Sequence, residues 1–97
     1  MVPILISGTL ADVGNSASAG LGGHFNISLS GTWAGTVILQ RAFPEAQTTW
    51  LDVKSYTANI EETGIEPEAG MLYRIRFAVD TSGTVTYRLS QNPVAGV

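Results

Sequence analysis

The stretch that decides the fold runs from Phe25 to Trp50, FNISLSGTWAGTVILQRAFPEAQTTW. Phe25, Ile27 and Leu29 alternate with Asn26, Ser28 and Ser30, the period-two pattern of a strand with one buried face. Gly31–Gly35, around Trp33, predicts a turn. The alternation then resumes over Thr36–Phe43, with Val37 and Leu39 on one face and Ile38 and Gln40 on the other. Pro44 cannot donate a ladder hydrogen bond and ends that strand. Pro44–Thr48 reads as a hairpin loop and Thr49–Val53 as the next strand.

The same signal recurs on both sides of this stretch. Ile4–Leu10 reads as a strand, and the small residues of Ala11–Gly23 as a loop that could hold a short irregular strand near Ser16–Leu21. Ser55–Ile60 reads as an edge strand and the acidic run Glu61–Gly70, with Pro67, as a loop. Leu72–Val79 places Tyr73, Ile75, Phe77 and Val79 inward, with Arg74 and Arg76 outward. Asp80–Gly83 reads as a tight turn, Thr84–Ser90 as a last strand with Val85, Tyr87 and Leu89 inward, and Gln91–Val97 as a tail. Ser-Gly-Thr occurs at Ser7–Thr9, Ser30–Thr32 and Ser82–Thr84, each at a strand end, where glycine supplies a turn and threonine restarts a strand. The expectation is an all-β, antiparallel domain of β-sandwich or jelly-roll type with about seven to eight short strands.

At 97 residues the chain reads as a single domain, residues 1–97, with a small core. Apolar residues make up 44%, which is ordinary, but charged residues only 13%, below the usual quarter or so. Serine, threonine and glycine fill the difference, which suits a thin β-domain whose surface is partly covered by neighbours. The net charge is −3, and the five basic residues, Arg41, Lys54, Arg74, Arg76 and Arg88, form no stripe that could follow a phosphate backbone. Direct nucleic-acid binding is therefore not expected. Without cysteine there are no disulfides or thiolate metal sites. No apolar run reaches the ~20 residues of a membrane helix. MVPILISGTL lacks the basic start of a signal peptide, so the chain is expected to be soluble and not exported by the ordinary secretory route.

Residues that could carry chemistry are sparse. His24 is the sole histidine and has no carboxylate near it in sequence, so a structural role is expected. Glu61, Glu62, Glu66 and Glu68 could offer oxygen ligands to a hard cation, but their spacing departs from the calcium-loop pattern, and a solvated loop guarding a sheet edge fits better. Trp33, Trp50, Tyr56, Tyr73 and Tyr87 could form a sugar-stacking platform or serve core and subunit contacts. Serine is plentiful, but no Ser/His/Asp set is evident, and Gly20-Leu21-Gly22-Gly23 leads into a strand rather than a phosphate-binding helix. No catalytic, cofactor-binding or metal residue is assigned, and an enzyme is not expected.

Read together, Gly31-Thr32-Trp33, Gly35-Thr36-Val37, Leu39-Gln40-Arg41, Thr48-Thr49-Trp50, Glu66-Pro67-Glu68-Ala69-Gly70, Leu72-Tyr73-Arg74, Thr81-Ser82-Gly83-Thr84-Val85 and Tyr87-Arg88-Leu89-Ser90-Gln91 form a string. It resembles a group of small β-rich proteins encoded among the structural genes of tailed bacteriophages. The resemblance covers roughly residues 24–91. The turn before Trp50 departs from it, with Phe43-Pro44-Glu45-Ala46-Gln47 where the relatives have an Asp-Gly-Gly type of turn.

The resemblance implies a non-enzymatic virion structural protein, in first place a capsid decoration or cement protein that binds the assembled lattice of the major capsid protein. A head–tail joining, tail or fibre component, or a carbohydrate- or host-surface-binding β-module, is the alternative. It implies other virion proteins as partners, a homo-oligomer such as a trimer, and a place in the virion after assembly in the host cytoplasm. The lightly charged arms at 1–6 and 92–97 are expected to dock on neighbours by strand addition, although the first can also be an ordinary edge strand. The candidate interaction residues are Val2, Pro3, Ile4, Leu5, Trp33, Phe43, Pro44, Pro93 and Val94.

Overall fold

The computed structural model describes residues 4–91, with side chains from Ile6 onward. The described chain is all β and antiparallel, in five strands. These are β1 (Ile4–Leu10), β2 (Gly14–Asn15), β3 (Ala19–Ala42), β4 (Leu51–Tyr56) and β5 (Ile60–Gln91). There are fewer strands than the sequence suggests because the glycine-rich corners bend strands without ending them. Gly31–Gly35 lies inside β3, Asp80–Gly83 inside β5, and Glu61–Gly70, read as a loop, is strand. The Ala11–Gly23 stretch holds β2 and the start of β3, while the strand expected over Ser55–Ile60 is interrupted between Tyr56 and Ile60.

β3 and β5 form the spine, paired from Asn26↔Ser90 to Ala42↔Leu72. The other edge of β3 is occupied twice. Its first part pairs with Ile60–Glu66, and Val37–Arg41 pairs with β4. The other edge of β5 takes β1, from Ile4↔Gln91 to Leu10↔Val85, then β2, then the start of β3 at Ala19↔Tyr73 to Leu21↔Met71. Ala42 ends β3 before Pro44, and two turns closed by Ala46 N–H to Phe43 O at 2.9 Å and Thr49 N–H to Ala46 O at 3.1 Å carry the chain to β4.

Two slips in the spine build the corner. Pairing steps from Ala34↔Ser82 to Gly35↔Asp80, leaving Thr81 unmatched, and from Thr36↔Val79 to Val37↔Phe77, leaving Ala78 unmatched. A bulged residue flips the faces that follow it, and a second bulge flips them back. Tyr73, Ile75 and Phe77 point inward, Val79 turns out to 52% exposure, and Val85, Tyr87 and Leu89 are inward again. The expected inward Val79 is thus corrected. The same flip turns Asp80 inward, where its Oδ1 is buried without a hydrogen-bond partner among the described residues. The corner demands glycine. Gly35 (φ 143°) and Gly83 (φ 84°) hold left-handed backbone, and a Cβ on either would fall on a carbonyl of the opposite strand, that of Val79 or of Thr32.

The inward faces of all these segments meet in one core. Leu21, Phe25, Ile27, Leu29, Val37, Leu39, Met71, Ile75, Phe77, Val85 and Leu89 are buried together with the three tyrosines, and Ile6, Leu10, Trp33 and Ile60 pack against them. Each large apolar side chain so buried contributes roughly 1.5–3 kcal/mol.

Candidate functional site

Residues of that string meet in three polar nodes. The main one is at Glu66. Between Glu66 and Met71 the chain takes five steps along β5 while β3 takes two, from Gly23 to Leu21. Pro67 sits in this excess, where a ladder donor is not needed. The excursion brings Glu66 back toward Tyr73, and the spine register sets Tyr73 opposite Arg41. The buried Glu66 carboxylate accepts from Arg41 Nε at 2.9 Å, from the Tyr73 hydroxyl at 2.7 Å and from the Glu68 backbone N–H at 2.9 Å, and Arg41 Nη2 lies 2.7 Å from it in the ion pair. Burial alone would raise its pKa, but the donors of Glu68, Tyr73 and Arg41 outweigh burial and hold it below the ordinary carboxylate range. Burial, and after it the Glu66 charge, pushes Tyr73 up to about 12. Every hydrogen-bonding demand of this carboxylate is met inside the fold, so it is a structural ion pair.

The second node lies on the outer face. Arg74 stacks on the Trp50 ring at 4.1 Å and donates from Nε to Gln40 Oε1 at 2.9 Å, and Gln40 Nε2 donates to Asp52 at 2.8 Å. Burial, with the neighbouring Arg76 charge, lowers the Arg74 pKa. The third node is Gln91. Its Nε2 donates to the carbonyls of Gly22 and His24, and its Oε1 accepts from Gly22 N–H at 3.2 Å, which ties the end of β5 to the start of β3.

These nodes account for much of the string, and other candidates are dispersed. Glu61 accepts from the Ser28 hydroxyl, and Glu62 accepts from Lys54 at 3.0 Å and from the Tyr56 hydroxyl at 3.2 Å. The carboxylates of Glu61, Glu62 and Glu66 therefore serve different partners, and no group of three potential metal ligands occurs among the described residues. Tyr56, Tyr73 and Tyr87 are buried, which removes them from any sugar platform. Trp33 is half-buried, edge-on to Phe77 at 5.9 Å, and donates to Asn59 Oδ1 at 2.7 Å. Phe43 is 38% exposed under the Arg41 guanidinium, and Pro44 is exposed beside it. His24 lies exposed at an open depression of about 340 Å³ that it shares with Asn26, Thr63 and Ser90. Ile4 and Leu5 belong to β1, while Val2, Pro3, Pro93 and Val94 lie outside the described residues.

A feature the sequence reading missed lies where β4 faces the first segment of β5. A slot of about 130 Å³ opens between their edges, floored by Phe25, Ile27 and Leu39, and walled by Val53 and Tyr56 on one side and by Gly64 and Ile65 on the other. The Lys54–Glu62 bridge spans its mouth. Leu51, Val53 and Ile65 stay 41, 45 and 66% exposed. The slot was hidden because Glu61–Gly70 read as loop. Its signal was the alternation of Ile60, Glu62 and Gly64 with Glu61, Thr63 and Ile65.

Comparison with family models, with curated proteins and with solved structures finds no match to this chain.

Proposed function

We propose that the chain is a non-enzymatic virion structural protein of a tailed bacteriophage, a decoration protein that binds the assembled lattice of the major capsid protein. The observation that carries this reading is how the surface is divided. Arg41, Glu66, Tyr73 and Arg74 of the phage-like string are spent internally, at Arg41–Glu66–Tyr73 and at Arg74–Gln40, while Leu51, Val53 and Ile65 stay exposed beside an open sheet edge. Groups committed to one another favour a scaffold over a reacting site, and an exposed apolar strip favours assembly.

Within this reading the bent sheet wraps as a sandwich of jelly-roll type, and its 18 Å short dimension suits two layers packed about 10 Å apart. The terminal arms at 1–6 and 92–97, with Phe43 and Pro44, are further contacts to neighbouring copies in a homo-oligomer such as a trimer. A clamp that binds only the assembled lattice stabilises it by mass action against internal DNA pressure. A neck, tail or fibre position is the second reading, supported by the same exposed strip. Copy number separates the two. A reconstruction or a stoichiometric gel of purified particles is expected to show the protein at capsid-scale copy number; a handful of copies indicates neck or tail, and absence from particles overturns both.

A further inference from the structure

The first segment of β5, Ile60–Glu66, pairs along one edge with β3 in unbroken register, from Gly23↔Glu66 to Leu29↔Ile60, and carries no strand on its other edge among the described residues. β4 is open in the same way, but its pairing slips between Leu39 and Gln40, so Val53 is a bulged extra residue. A bulge spoils a template for strand addition, and an unbroken edge provides one. The intact edge borders the apolar slot. Gly64 has no side chain to cover the Phe25 ring beneath it, and a Cβ there would come within 2.7 Å of that ring.

The exposed charge on the segment itself has one sign: it carries Glu61 and Glu62 and no cation, Lys54 of β4 bridges to Glu62, and Arg88, across β3 opposite Ser28, donates to Ser90. Such an edge repels a second copy of itself, because the copy presents the same carboxylates, and it attracts a cationic strand. The Lys54–Glu62 bridge is exposed, so rearranging it costs little.

We propose that Ile60–Glu66 is the docking edge for an extended strand of a partner protein in which apolar and basic residues alternate, one apolar side chain entering the slot beside Gly64 while the basic ones meet Glu61 and its neighbours. The proposal rests on the assembly reading above and specifies its contact. Backbone pairing along the edge supplies affinity, and the slot and the carboxylates supply selectivity.

The test uses the full chain and a labelled peptide of alternating valine and lysine, with a valine–glutamate peptide of equal length as control. Saturable binding of the lysine peptide is expected, with slowed amide exchange over Ile60–Glu66. Glu61→Lys and Ile65→Ser are each expected to weaken it about tenfold or more, while as exposed sites they leave the unfolding midpoint nearly unchanged. Val53→Ser on the opposite wall gives the same readout should either variant fail to fold. Equal binding of the glutamate peptide, unchanged exchange over Ile60–Glu66, or undiminished binding by the variants overturns the proposal. In particles, a Glu61→Lys chain that still joins at wild-type copy number overturns the edge and leaves the assembly reading standing, whereas a wild-type chain missing from particles overturns that reading itself.

Discussion

Glu66 shows what a single residue contributes. Its carboxylate holds the end of β3, the bend of β5 and Tyr73 together by accepting three hydrogen bonds and by the ion-pair contact with Arg41 Nη2. Its folded-state pKa lies below the unfolded value, so its stabilisation is complete above about pH 4.3 and is lost as pH falls through the folded value. Glu66→Gln keeps the shape but weakens the acceptor, and is expected to cost about 1–3 kcal/mol at neutral pH and to flatten the acid limb of a thermal-melt pH series. The alkaline limb has the opposite sign. Tyr56 and Tyr73 are both pushed up to about 12, by burial first and then by Glu62 and Glu66 respectively. Their stabilisation is complete below about pH 10 and is lost as pH rises through the folded values near 12. A Tyr56→Phe/Tyr73→Phe double variant is expected to lose less melting temperature than the parent between about pH 9 and pH 11.5. In the sequence Glu66 and Tyr73 stand seven positions apart, in what reads as a loop and a strand. Their contact depends on the Pro67–Gly70 excursion.

At the scale of elements, the alternation of Phe25–Leu29, Val37–Leu39, Tyr73–Phe77 and Val85–Leu89 was legible because period two leaves a direct trace in the residue order. The bulges at Ala78 and Thr81 left none, since a slip is a property of two strands and only one is read at a time. That is why the sequence reads Val79 as core and Gly31–Gly35 as a turn. Gly35→Ala is expected to lower stability by about 2 kcal/mol or more, read as a shifted urea midpoint, because it combines a left-handed backbone with a collision at Val79. Val79→Thr, changing an exposed side chain, is expected to stay within about 0.5 kcal/mol.

For the whole molecule, the spine joins residues far apart in sequence, with Asn26 opposite Ser90. Closing such loops precedes any reward from the contacts, so refolding followed by Trp33 fluorescence beside Phe77 is expected in milliseconds to seconds rather than microseconds. Phe77→Ala, at the fully buried centre, is expected to cost about 3–5 kcal/mol in equilibrium unfolding. The candidate docking edge belongs to this scale too. It exists because β4 and Ile60–Glu66, separated in sequence by the Thr57–Asn59 turn, face each other across the core residues Phe25 and Leu39.

The residue order by itself determined an all-β antiparallel chain with most of its inward faces, because alternation and the absence of helix periodicity are local properties. The tertiary structure decided how many strands there are, which of the acids is buried, and where the sheet remains open. Those outcomes depend on register, and register is set by the pairing of distant segments, where one unmatched residue reverses every face that follows.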